Sequence, residues 1–460
     1  MFLFPLVYLL SFLIACREVW AKRPAGITWF FIIGLPLYIT SLSVVHLYGF
    51  DSLIPVLQYA KEGIVLACFG FIIYTLPSMP AFNGLDRLML LFFLYVGVYI
   101  FLPLGSFGLF DKIVAFKNIC FFPILYFIGR LLTIEALWIS KLQKLIMFLS
   151  LAAGLVLVGE LLIDTHLQQF TGYASFYEKY FLFDPAGNYG LSWTFEIEGG
   201  IKRFASFFAN PLELAASTLI TAPVLMALYT SGEHKKESRL FTLTILSLLL
   251  SVVFALSRAS FAAFVLVGYV YFFITGRRTM VRIYHLGALA AGLGFLFLTF
   301  DNSIGDFIVS TLSFADSSSL SHLLEWLVGI EAMTDQPLGM GLGESGRVAG
   351  ALGLNTGGEN QFIILGVQCG VVALFLYLAL IFLSAYMAGW LFKNSTGKAQ
   401  QMGLMVFLIR IGLFIPALTA AVESYLYVSY VGWFFTGIMS TAWSALHQPQ
   451  PVSSKSPLAI

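Results

Sequence analysis

Nothing in this chain constrains its fold more than its long apolar runs. Each is close to the ~20 residues that an α-helix needs to cross a ~30 Å hydrocarbon layer. Thirteen of them fall near 2–16, 27–45, 53–76, 88–104, 113–130, 145–163, 204–230, 240–256, 259–275, 283–300, 360–391, 402–420 and 426–446. Composition agrees, because 59% hydrophobic residues, 16% aromatics and 11% charge over 460 residues exceed what one water-soluble core absorbs. The predicted fold is therefore all-α: one polytopic membrane domain over 1–460, with about 12–13 transmembrane helices and a large helical external loop.

The first run ends in Leu13-Ile14-Ala15-Cys16, similar to a lipoprotein cleavage box, but no Lys or Arg precedes it as a signal peptide requires. It reads as a retained helix. Cys16, Cys68, Cys120 and Cys369 are scattered through apolar runs with no C-x-x-C pair, so they read as packing residues rather than metal ligands.

Lys and Arg resist translocation, so the loops rich in them set orientation. Loops near 17–25, 130–144, 231–239, 276–282 and 393–398 carry most of the basic residues and are expected on the cytoplasmic side. That puts the N-terminus and two long segments outside: 164–203, and 301–358 with seven acidic residues and one base, Arg347. No basic nucleic-acid-binding surface stands out, and 448–460 reads as a disordered cytoplasmic tail.

Within the second segment, Ser319 to Met333 (SLSHLLEWLVGIEAM) spaces its apolar residues by three and four, which predicts an amphipathic helix lying on the outer membrane surface. His322 and Glu325 sit toward one edge of it. The glycine run GMGLGESG, 339–346, follows. Its free N–H groups suit an anionic head group, and a plain turn back to the membrane accounts for it equally well. It follows a helix rather than a strand, which excludes the dinucleotide fingerprint.

Charges at or inside a membrane are costly unless they face a cavity or a partner. Arg203 in KRFASFFANP and Arg258 in ALSRAS reach the same expected outer boundary, where two guanidinium forks suit a diphosphate and snorkelling to lipid phosphates is the plainer alternative. Lys61, beside Glu62, and Lys117 read as ion-paired helix packing. Arg410, inside LMVFLIRIGLFIP, calls for a buried partner such as Glu160 or Glu423.

The stretch GGENQFIILGVQCG, 357–370, opens an apolar helix with Glu359, Asn360 and Gln361 in a row. Glu359 and Asn360 can cap that helix. A carboxylate at the membrane–water boundary can equally take a proton from a hydroxyl, although a helix N-terminus favours its ionised form and weakens it as a base.

The order RFASFFANP, SRAS at a hairpin tip, a long loop with S-x-x-H-x-x-x-W and PLGMGLG, then EN opening a helix that ends G-x-x-x-G resembles the O-antigen ligase and polymerase superfamily over about 200–390. The resemblance implies a GT-C-type glycosyltransferase of the bacterial inner membrane. Such an enzyme transfers glycan from undecaprenyl diphosphate to an acceptor hydroxyl on the periplasmic side, without metal or cofactor. Its partners would be the lipid-linked oligosaccharide, an acceptor glycan, the bilayer and other polysaccharide-assembly proteins, not nucleic acid. Family arginines that hold the diphosphate match Arg203 and Arg258. The family's loop arginine four residues before Trp326 corresponds to His322, and its His-Asn pair corresponds to Glu359-Asn360. The resemblance thus implies Glu359 and His322 as base and orienting partner, in either order, with Asn360, Trp326 and Arg410 in support. The expected activity is polymerisation of lipid-linked exopolysaccharide or O-antigen repeat units. A ligase moving the glycan to a lipid core or protein ranks next, and a transporter of the same glycan ranks last.

Overall fold

The computed structural model describes residues 1–76, 78–132, 139–182, 185–197, 199–298, 317–351 and 355–447. About four-fifths of these are helical, and their two strands, Glu196–Ile197 and Ile201–Lys202, form one short antiparallel pair. The chain is an all-α polytopic membrane protein. Among the described residues eight helices are long and apolar enough to span a membrane, and the bent pair Leu109–Cys120 and Phe122–Arg130 makes nine.

That number is below the thirteen runs for identifiable reasons. The run 88–104 yields only the 15-residue helix Gly84–Val98, and 259–275 yields the 17-residue helix Arg258–Ile274. The run 426–446 is the helix Leu426–His447, whose Tyr, Trp, Ser, Thr and Gly residues dilute its apolar character. The run 283–300 falls on the helix Arg278–Leu298, and its last two residues lie outside the described residues.

Burial separates centre from rim. The spans Pro24–Leu47 and Pro211–Ser231 are each 83% buried inside protein, whereas Leu3–Trp20 is 22% buried and presents the rest of its surface outward. The first of these central spans is not a regular helix. A 3₁₀ turn at Pro24–Ile27, a π segment at Phe30–Gly34 and a second 3₁₀ turn at Leu35–Leu37 precede the helix Tyr38–Leu47. Irregular backbone at membrane depth is tolerated where protein rather than lipid surrounds it, and Phe30, Phe31, Ile32 and Leu35 are all buried.

The connecting loops sort to two ends. At one end Lys144 pairs with Glu237 at 2.5 Å, Arg277 stacks on Tyr229, and Arg130 donates to the Ala81 carbonyl. At the other end Lys179 pairs with Asp51, Tyr99 donates to the Leu338 carbonyl at 2.6 Å, and Ser106 binds Glu344. The first end holds the Lys/Arg-rich loops, and the second gathers 164–203 with the described part of 301–358. The residues 301–316 and the tail 448–460 lie outside the described residues.

Two expected helices depart from their apolar runs. The run 204–230 becomes helical only at Pro211, where the Asn210 side chain accepts from the Glu213 N–H at 2.9 Å. Before it, residues 203–210 thread through protein as a buried loop: Glu160 accepts from the Ser206 N–H, and Gln168 donates to the carbonyls of Ser206 and Phe208. The helix Gln361–Asn394 is broken at Gly370, whose φ of +78° suits glycine but strains any residue with a Cβ.

Candidate functional site

The break at Gly370 decides what the glycine run does. A helix interrupted there frees carbonyls upstream, and the run supplies their donors: Met340 N–H to Val367 at 2.7 Å and Gly341 N–H to Gln368 at 3.1 Å. The hydroxyl of Tyr95 takes the Cys369 carbonyl. The Gln368 side chain accepts from the Gly343 N–H and donates to the Ser345 carbonyl, and Asn355 accepts from the Gly346 N–H. With these N–H groups engaged, 339–346 is a patch on a broken helix, not a phosphate cradle. Glycine is needed because the backbones nearly touch: a Cβ on Gly341 would lie 2.6 Å from the Leu104 carbonyl oxygen.

The patch holds one wall of a cavity of about 600 Å³ at the loop-rich end. Glu359 lines this cavity, and so do Lys61, Glu62, Lys117, Glu213, Arg347, Glu423 and Tyr425. Asn360 is the helix cap by itself: its Oδ1 accepts from the N–H groups of Phe362 and Ile363 at 2.9 and 3.2 Å. Glu359 therefore takes no part in capping. Its side chain is accessible from the cavity while protein walls enclose it. That enclosure pushes its carboxyl above the ordinary carboxylate range, with His322 opposing the shift and Glu325 adding to it. The helix N-terminus favours the ionised form, and the enclosing walls act in the opposite direction.

His322 lies on the helix Ser317–Asp335, close enough for its charge to act on Glu359. Its Nδ1 is 3.6 Å from Glu325 Oε2, which makes Glu325 its nearby carboxylate on the same helix. Close approach of two glycines brings this helix to the site: a Cβ on Gly329 would lie 2.9 Å from Gly357 Cα. Trp326 supports the same contact, packing with Met333, Ile363 and Val367. Leu320, Leu324, Leu327 and Val328 stay exposed along one side of the helix.

Arg203 and Arg258 come together at the same end. The Phe204 N–H donates to the Phe254 carbonyl at 3.1 Å, and Arg203 Nε donates to the Ala255 carbonyl at 3.1 Å, which ties the 203–210 loop to the tip carrying Arg258. Burial lowers Arg203 to about 10, with Tyr425 opposing and Arg258 adding to the shift, so its guanidinium stays charged at neutral pH. Tyr425 connects the two halves of the site. Burial holds its hydroxyl well above the usual tyrosine range, Glu359 and Glu213 push it further, and Arg203 pulls it down.

Arg410 stands apart from the cavity. It donates to Thr436 Oγ1 at 2.6 Å and to the Gly432 carbonyl, and its guanidinium lies 3.6 Å from the Trp433 ring centre. Of its two expected partners, Glu160 is occupied by the N–H groups of Leu167 and Ser206. Glu423 is reached through Trp433, whose Nε1 donates to it at 2.8 Å. Arg410 thus braces the Glu423 wall from behind. Lys61 and Lys117 both bind Glu62 Oε1, at 2.6 and 3.0 Å, in the expected helix-packing ion pairs.

Tyr425 and Arg347 belong to this site although no motif marked them. Arg347 carried one signal, being the single base in 301–358. Tyr425 carried none, since a tyrosine before an apolar helix is commonplace. Among the described residues no group of three His, Cys, Asp or Glu side chains is placed to hold a metal ion. No protein-family model and no curated protein matches the chain. The functional reading rests on the residues and their geometry.

Proposed function

We propose that this protein is a membrane glycosyltransferase that polymerises lipid-linked oligosaccharide repeat units, with undecaprenyl-diphosphate-linked glycan as donor and a sugar hydroxyl as acceptor. It works at the periplasmic face of a bacterial inner membrane. One observation carries the reading: the loop carrying Arg203 is hydrogen-bonded to the hairpin tip that carries Arg258, at the same end of the molecule where Glu359 lines the cavity beside Tyr425. A cation pair suited to a diphosphate and a carboxylate suited to accepting a proton thus lie at one end of the molecule.

In the reaction, the acceptor oxygen attacks the anomeric carbon of the donor glycan and forms the new glycosidic C–O bond. The anomeric C–O bond to phosphate breaks, and its electron pair leaves with the polyprenyl diphosphate. The hydroxyl proton passes to Glu359, or to His322 beside Glu325. Arg203 and Arg258 offset the charge that develops on the leaving diphosphate. A carboxylate whose pKa is raised by its enclosure is the stronger base when ionised, because its pKa moves toward the working pH.

Transport of the same lipid-linked glycan is a second reading, raised by the helix break at Gly370, since transporters use broken helices to expose backbone to cargo. The carbonyls of Val367, Gln368 and Cys369 are already bonded to Met340, Gly341 and Tyr95, which favours the enzyme. The test keeps charge and removes geometry: Arg203→Lys and Arg258→Lys retain a cation but lose the planar fork. Each variant, at normal abundance in the membrane, is expected to cut polymer output at least about tenfold, the loss of one charge-assisted contact. Normal polymer from both Lys variants would remove the diphosphate clamp from the account.

A further inference from the structure

Most charged groups around the cavity are already committed. Glu62 holds Lys61 and Lys117, and Glu213 accepts from the backbone N–H groups of Ala209 and Tyr427. Glu423 accepts from Tyr377, Ser429 and Trp433. Two lining charges are not committed in this way: Glu359, which the proposed chemistry uses, and Arg347, which it does not. Among the described residues the Arg347 guanidinium has an aromatic ring, Phe181 at 4.4 Å, and no carboxylate as its contact. The side chain is exposed to the cavity.

The walls near Arg347 are aromatic and basic. Tyr38, Tyr177 and Phe181 line the same cavity, and so do Lys61 and Lys117, both paired with Glu62. An uncommitted guanidinium on an aromatic ring, exposed to a cavity, is built to receive an anion carried on a flat or ring-shaped body. The forked donors of arginine match a carboxylate with two parallel hydrogen bonds, and tyrosine rings offer faces and hydroxyls to sugar rings. Arg203 and Arg258 lie outside this lining. The cavity therefore has its own cation besides the pair assigned to the donor diphosphate.

We infer that the acceptor glycan is acidic, and that Arg347 binds a carboxylate on its sugar, of the uronic acid class, on the Phe181 and Tyr177 side of the cavity. This deepens the glycosyltransferase reading and rests on it, since it assigns the cavity to the acceptor. The acceptor's anionic sugar is anchored at Arg347, its attacking hydroxyl lies toward Glu359, and the donor diphosphate lies beyond Tyr425. Specificity then comes from the anion: a neutral acceptor would leave Arg347 without its partner.

The experiment uses the full-length protein in neutral detergent micelles and titration calorimetry at fixed ionic strength. Three probes are compared: a tetrasaccharide of alternating glucuronic acid and glucose, the same tetrasaccharide with its carboxyl groups reduced to alcohols, and inorganic pyrophosphate. The wild type is expected to bind the acidic tetrasaccharide about 10- to 100-fold more tightly than the reduced one, the range for a hydrogen-bonded charged group. In Arg347→Gln the preference should fall to about twofold or less, while pyrophosphate binding persists and shows that the fold is intact. Equal binding of the two tetrasaccharides by the wild type overturns the inference without any variant. A preference that survives Arg347→Gln overturns it too. Loss of pyrophosphate binding in a folded Arg347→Gln assigns Arg347 to the donor, which overturns the inference and leaves the glycosyltransferase reading standing. Conversely, an Arg203→Lys, Arg258→Lys double variant that binds pyrophosphate normally removes the donor clamp. The Arg347 preference, if present, then stands as an acidic-glycan site without it.

Discussion

Replacing Glu359 by Gln separates chemistry from architecture, because the structure gives this side chain no structural duty. The cap of the helix Gln361–Asn394 belongs to Asn360, and among the described residues no hydrogen bond holds the Glu359 carboxylate. Gln has nearly the same size, and the position opens into a cavity, so the change in stability should stay within about 0.5 kcal/mol, as for other substitutions away from packed or bonded features. Turnover should behave differently. Loss of a positioned general base costs about 10²–10⁴ in rate, equivalent to roughly 3–5 kcal/mol of barrier. The assay is chain extension by purified protein on lipid-linked repeat units, with thermal unfolding measured on the same preparation. Unchanged unfolding with turnover reduced by that factor is the expected result. Near-normal turnover in Glu359→Gln, with loss of activity in His322→Ala, would transfer the base to His322. Near-normal turnover in both would refute the chemistry.

Other outcomes follow from the same geometry. Enclosure and Glu325 raise the Glu359 carboxyl while His322 lowers it, and the base works ionised, so the acid limb of kcat/KM follows this pKa. Glu325→Gln should move that limb to lower pH and His322→Ala to higher pH, and a limb unmoved in a pH–rate profile of either variant would detach it from Glu359. Gly370→Ala places a Cβ 2.5 Å from the Pro337 carbonyl oxygen at a φ of +78°, so thermal unfolding should show a loss of about 1–3 kcal/mol or more, and unchanged stability would contradict the break.

The apolar runs made the fold class legible, because length and composition alone set what can cross a membrane. The broken helix was not legible, since a lone glycine within an apolar run fits a continuous helix as well as an interrupted one. Only the approach of the 337–341 backbone shows why Gly370 turns. The glycine run misled for a related reason: free N–H groups in a loop suit an anion until a partner backbone takes them. Arg203, Arg258, Glu359 and His322 were each visible in local sequence, and the structure brings them to one end of the molecule. Their electrostatics were not visible. The helix N-terminus argued for an ionised Glu359, and walls supplied by distant segments act the other way. Arg347 escaped assignment because the ring it meets, Phe181, lies in a distant segment of the chain.

The most direct measurement uses purified protein in lipid vesicles whose only added substrate is a single undecaprenyl-diphosphate-linked repeat unit, with lipid-linked products resolved by mass. The account predicts a ladder of longer glycans on undecaprenyl diphosphate, accompanied by release of one free undecaprenyl diphosphate per bond formed. Recovery of the repeat unit at its original length, from protein whose fold is verified, would contradict it.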